Sequence, residues 1–197
     1  MIEQMKILSG KWQDTYIKND GSIVKTDVHH NQIQDQAYVA VTSLLANQFD
    51  PNNVPLETPT TFGISHIDFG SGDPSWDLPA NQPVAQNSAN TQLTNATYRQ
   101  SIGQAQITFV PTNDPFGGNA VSLTPTNRIR VTLTLTENEH QGALREFGLF
   151  CRSNDNAGTA NQINQGLIFN WVVHPLIDKD DTLRIERVIE ITINKCN

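Results

Sequence analysis

The groups in this chain with the chemistry to hold a metal or move a proton are five histidines, two cysteines and scattered aspartates. His29 and His30 are adjacent, whereas zinc on a helix needs the i, i+4 spacing that places two imidazoles on one face. A solvated helix start is the simpler reading of that pair. His66 and Asp68 are two residues apart, so a strand would put them on one face and let the carboxylate orient the imidazole. No Ser or Cys nucleophile motif accompanies them. Arg152 beside Cys151 would favour a thiolate, yet neither His140 nor His174 can be paired with that sulfur from the sequence, and a small buried thiol at a strand end is expected. A bridge from Cys151 to Cys196 cannot be read from spacing.

Asp178, Asp180 and Asp181 lack the spacing, the glycine and the distal glutamate of a calcium loop, and read as a charged turn. Gly70-Ser71-Gly72 has the glycines of a phosphate loop without the Gly-Lys-Ser/Thr that follows one, so it also reads as a turn. The sequence therefore predicts no catalytic residue, no metal ligand set and no cofactor. Two features point to contacts instead. Trp76 lies in a Pro- and Asn-rich stretch where an exposed indole would stack on a sugar or a partner. Glu146 lies between Arg145 and Phe147 in an otherwise apolar run, so its carboxylate must find an arginine, with Arg145 and Arg128 the candidates, or backbone N–H groups near a subunit contact.

The elements that would position these residues are mostly strands. In Leu183–Ile193, Leu183, Ile185, Ile189, Ile191 and Ile193 share one parity, while Arg184, Glu186, Glu190 and Thr192 share the other, the pattern of a half-buried antiparallel strand. Arg128–Thr136 alternates in the same way, and Thr61–Phe69, Ala105–Val110 and Gly166–Val173 add further strands. Asp20-Gly21 between two strand-like runs predicts an N-terminal hairpin within residues 1–26. Between Asp27 and Gln48, Ile33, Ala37, Ala40, Val41, Leu44 and Leu45 recur at helical spacing. Together these predict a mainly β (α+β) fold, an antiparallel β-sandwich-like sheet with one principal amphipathic helix near the N-terminus. The hairpin of residues 1–26 would be a docking arm on a domain of residues 27–197.

A net charge of −7 argues against a nucleic-acid surface. No apolar run approaches the roughly 18 residues of a membrane span, and Met1–Ser9 lacks a secretory apolar region, so neither an integral membrane segment nor Sec export is expected.

The order of several short motifs carries more information than any one of them. His30-Asn31-Gln32-Ile33 through Leu44-Leu45-Ala46-Asn47 is followed by Ile64-Ser65-His66-Ile67-Asp68-Phe69-Gly70-Ser71-Gly72 and by Thr91-Gln92-Leu93 with Tyr98-Arg99. Then come Leu144-Arg145-Glu146-Phe147-Gly148-Leu149-Phe150, Gly166-Leu167 to Pro175, and Lys179 to Ile193. Over about Asp27 to Ile193 this succession resembles bacteriophage tail proteins, the N-terminal attachment regions of tail fibres and baseplate components that also occur in contractile injection systems. The resemblance implies a β-rich virion or injection-machine component without catalytic residues. It implies a homo-oligomer, a trimer by preference, that joins other tail, baseplate or fibre proteins, located in the virion or assembled in the host cytoplasm. The chain has no fibrous shaft after its last strand, which favours an adaptor or baseplate role over a complete fibre. A carbohydrate-binding β-sandwich built around Trp76 is the alternative reading, and a hydrolase resting on scattered His and Asp is a third.

Overall fold

The computed structural model of the 197-residue chain describes residues 8–33, 63–78, 81, 90–111, 113–116, 118–124, 126–151 and 162–193. Nine strands lie in these residues: β1 (Leu8–Lys18), β2 (Ile23–Ile33), β3 (Ile64–Gly70), β4 (Ala96–Ser101), β5 (Ile107–Phe109), β6 (Arg128–Leu135), β7 (Gly142–Cys151), β8 (Leu167–Lys179) and β9 (Leu183–Ile193). The helical pieces with described bounds are short 3-10 turns at Pro74–Asp77 and Gln104–Gln106. The fold is mainly β, with two antiparallel sheets. None of the described helices is long and apolar enough to cross a membrane.

The chain divides into two compact units. One comprises residues 1–31, 103–141 and 180–197, the other 32–102 and 142–179. In the first unit the sheet runs β2, β1, β9, β6, β5, every neighbour antiparallel. β1 and β9 pair along their whole length, from Leu8 opposite Ile193 to Lys18 opposite Leu183. The N-terminal hairpin closes at the expected place: Gly21 takes φ 82°, its N–H donates to the Lys18 carbonyl, and Asp20 Oδ1 accepts from Ser22 N. The middle of the apolar parity of β9 packs as read, with Ile185, Ile189 and Ile191 buried beside Val131, Leu133 and Leu135 of β6 and Trp12 of β1, whereas Leu183 is half-buried and Ile193 is exposed.

In the second unit β4, β3, β7 and β8 form an antiparallel sheet. β3 and β7, inside the sheet, are buried on both faces over most of their length, which is why β7 reads as a nearly continuous apolar run. On one face Leu93, Phe150, Ile168 and Trp171 make a core cluster, with Trp76, Ala96 and Val173 packed against it. Gln32 and Ile33 belong to this unit and pair with Trp171 and Asn170.

The amphipathic helix expected from Asp27 to Gln48 is not seen. Its first seven residues, Asp27 to Ile33, are the second half of β2, and residues 34–48 lie outside those described. Asp, Val, His and Asn, which fill residues 27 to 31, are weak helix formers, and the Asp20-Gly21 turn brings them opposite β1, where Asp27 to Asn31 pair with Asp14 to Gly10. The helical periodicity begins at Ile33, so it never constrained the stretch before it. Thr91–Ser101, open to either reading, is extended at its end as β4.

Candidate functional site

Glu146 is the centre of the second unit. It stands opposite Gly70 on β3 and is fully sealed from solvent at 0% exposure. Of the two solutions open to its carboxylate, backbone N–H donors are the one realised. Oε1 accepts from Asn95 N at 2.7 Å, while Oε2 accepts from Thr94 N at 3.0 Å and from the Trp171 indole Nε1 at 2.8 Å. Neither candidate arginine is its partner. Arg145, the next residue on the strand, makes a two-pronged contact with Asp77 through Nε and Nη2, both at 2.7 Å, and Arg128 pairs with Glu190. Alternation along a strand sends neighbours to opposite faces, so adjacency in sequence is poor grounds for pairing.

Two glycines make room for this arrangement. A Cβ on Gly70 would lie 2.6 Å from Glu146 Oε1 and 2.7 Å from the Asn95 carbonyl oxygen. One on Gly148 would lie 2.7 Å from Leu93 Cδ1. The segment 91–95 thus lies down on the sheet, Leu93 seated at Gly148 and the two amides after it held by Glu146.

Asp68 does the same for the loop before β8. Arg99 Nη1 donates to both of its oxygens at 3.0 Å, Asn164 N donates to Oδ2 at 2.6 Å, and Arg99 Nη2 reaches the Gln165 carbonyl at 2.7 Å. Burial outweighs these donors and pushes the Asp68 carboxyl up to about 6. His66 shares the strand but not this contact: its Nδ1 lies 2.9 Å from Ser65 Oγ, and the carboxylate is occupied by Arg99 and Asn164.

Trp76 is half-buried, its ring against Gly72 and the core cluster, in the 3-10 turn that Asp73 caps. The Arg145 guanidinium holds that turn through Asp77, whose carboxyl it keeps below the usual range, and also donates to the Ser71 carbonyl. Phe147 is fully buried opposite Phe69, with the His174 ring 6.1 Å away. The four residues singled out for contacts therefore lie in one unit, as parts of its framework. Cys151 is buried, which pushes its thiol up to about 12, away from nucleophilic use; Cys196 lies outside the described residues. Asp180 caps the turn between β8 and β9 through Thr182, as a charged turn should. His29 and His30 fall on β2.

Sequence reasoning missed the charged groups of the first unit. Asp14 and Arg187 face each other across β1 and β9, both at 0% exposure, joined at 2.6 and 2.5 Å, with the guanidinium 5.4 Å from the centre of the Trp12 ring. The signal was present, because Arg187 has the parity of the β9 isoleucines. Glu190, assigned to the solvated face, is buried too. It accepts from Arg128 Nη2 and from Arg130 Nε and Nη2, while Arg130 also reaches Asp114. This network floors a cavity of about 320 Å³ lined by Gly10, Lys11, Asp114, Phe116, Arg128, Glu190 and Thr192, where the Lys11 ammonium lies 5.7 Å from the centre of the Phe116 ring. Both carboxylates of this lining are engaged by arginines. Among the described residues no three His, Cys, Asp or Glu side chains are grouped to hold a metal ion.

Comparison with protein-family models, with curated proteins and with solved structures finds no significant match to this chain.

Proposed function

We propose that this chain is a structural component of a phage tail or contractile injection machine, an adaptor or baseplate protein that joins fibre or baseplate parts as a homo-oligomer and catalyses no reaction. One observation carries the reading. Four of the six motifs behind the resemblance, those within residues 64–72, 91–99, 144–150 and 166–175, are far apart in sequence yet lie in a single unit and hold one another: Glu146 grips the residues after Thr91-Gln92-Leu93, Gly148 seats Leu93, Asp68 pairs with Arg99, and Trp171 donates to Glu146. Their polar groups fix loops on a sheet, which supports a structural role for this unit. Trp76 is half-buried against the core cluster, which weighs against the carbohydrate-binding alternative.

The test is location. A tagged chain produced in its native host during particle assembly, followed by tag-directed gold labelling and negative-stain electron microscopy, should place gold at the baseplate or fibre attachment point. Particles that form normally and carry no label would refute the proposal. Light scattering of the purified chain over a range of concentrations reports the homo-oligomer.

A further inference from the structure

The edge of β2 that faces away from β1 exposes three aliphatic side chains, Ile23, Val24 and Val28, at 66%, 56% and 51%. Among the described residues the strand registers supply this stretch with a partner on the β1 side alone, since β8 meets β2 only at Gln32 and Ile33. Val24 is the extra residue of a bulge, unpaired between Ile23 and Lys25. A strand edge that carries exposed apolar side chains is a template for another strand, and the bulge and Lys25 limit which strand can add to it.

The residues along this edge carry a symmetry of their own. Reading outward from Thr26, Lys25 on one side answers Asp27 on the other, and Val24 answers Val28. We propose that a second copy of this chain adds to this edge, antiparallel, about a two-fold axis through Thr26. In that register each Lys25 faces the other copy's Asp27, and the bulged Val24 comes beside the other copy's Val28. Both opposite-charge and aliphatic cross-strand pairs are stabilising. The register is also specified against its neighbours. A shift of the axis to residue 25 or to residue 27 sets Lys25 against Lys25 or Asp27 against Asp27, and a half-step shift sets a charge against valine or threonine. A self-complementary patch of this kind is the requirement for an isologous dimer. Within one copy Lys25 Nζ already lies 2.7 Å from Asp27 Oδ2, so both charges are held at the edge, where the pairing needs them. Two short strands bury little area, so the contact is weak and depends on concentration. This inference rests on the edge alone and is independent of any place in a tail.

Sedimentation velocity over a wide concentration range should show a reversible monomer–dimer equilibrium. Lys25→Glu or Asp27→Lys, each placing two like-charge pairs across the axis, should weaken the dimer by roughly tenfold or more. The double swap Lys25→Glu/Asp27→Lys should restore it, which separates lost association from lost folding. In a Cys196→Ser background, Thr26→Cys should form a disulfide-linked dimer on mild oxidation, because directly opposite residues lie about 5 Å apart. Val28→Cys should not, its two copies being offset by four residues, roughly 13 Å along the strands. A monomer at every concentration, a larger oligomer indifferent to the charge reversals, or equal cross-linking through residues 26 and 28 would each overturn the two-fold edge contact.

Discussion

Asp14 and Arg187 are separated by nearly the whole chain, yet they stand directly opposite one another on β1 and β9, both closed to solvent. Burying two charges costs much of what their attraction returns, so the pair is more costly to break than to have. Asp14→Ala should destabilise the protein by about 3 to 5 kcal/mol, because it strands the arginine. Replacing both residues with leucine and methionine should recover most of that loss. Urea unfolding of the two single variants and the double variant measures the coupling. A single variant as stable as the double would contradict it.

Glu146→Gln should destabilise the second unit although size and shape are kept. The carboxylate offers two acceptors to three N–H groups, whereas the amide offers one oxygen and turns its NH2 towards a donor. A loss of about 1 to 3 kcal/mol is expected, with Glu146→Ala at least as severe. Thermal melts of both variants check this, with amide exchange at Thr94 and Asn95 as the local readout.

Gly70→Ala tests the space rather than the charge. The new methyl would meet Glu146 and the Asn95 carbonyl at distances no Cβ adopts, and a loss of about 1 to 3 kcal/mol is expected from the forced shift. Gly21, with nothing near a Cβ but φ 82°, should suffer only the smaller backbone penalty of the left-handed region. The ranking of the two alanine variants by unfolding midpoint decides the point.

Asp68 gives the protein a pH signature. Its folded value near 6 lies above the unfolded value of about 3.9, so the folded state holds this proton the more tightly. The stabilisation from that proton is complete below about pH 4 and is lost as pH rises through about 6. Asp68→Asn cannot titrate. The unfolding free energy of the wild type relative to this variant should therefore fall between pH 4 and 7 and level off above. Asp20, Asp73, Asp77 and Asp180, held low by hydrogen bonds, act with the opposite sign but are common to both proteins and cancel. A flat difference would place the Asp68 carboxyl in the ordinary range.

Cys151 should be silent to thiol reagents in the folded protein, given full burial and a thiol pushed up to about 12. In a Cys196→Ser background, reaction with an aromatic disulfide reagent should appear only on unfolding.

The strands and the hairpin turn were legible because period-two patterning and Asp-Gly turn chemistry are local. The parity of β9 gave the buried isoleucines at 185, 189 and 191, and β7 was legible as an otherwise apolar run. Glu146 was legible as a buried carboxylate in need of donors, but not its donors, since Thr94, Asn95 and Trp171 reach it only through the fold. The helix expected from Asp27 extended a pattern that starts at Ile33 back over residues that local turn chemistry had already committed to a hairpin. Arg187 and Glu190 were passed over because a charge in a strand is ordinarily solvated. Only the partner strands, which bring Asp14, Arg128 and Arg130 alongside, show why these are not.

The division of the first unit into three stretches of chain has a consequence for how the protein is made. β1 is synthesised well before β9, the strand that completes its inner edge. The hairpin with β2 can form early, on the microsecond scale of local pairing. Until β9 emerges, however, β1 presents an open edge with Trp12 and Tyr16 uncovered. Residues 32–102 and 142–179 are all synthesised before β9, so the second unit can complete its sheet first. The order of synthesis thus sets an order of assembly, in which the first unit stays open to wrong partners for longest and a chain shortened by β9 leaves it unfinished.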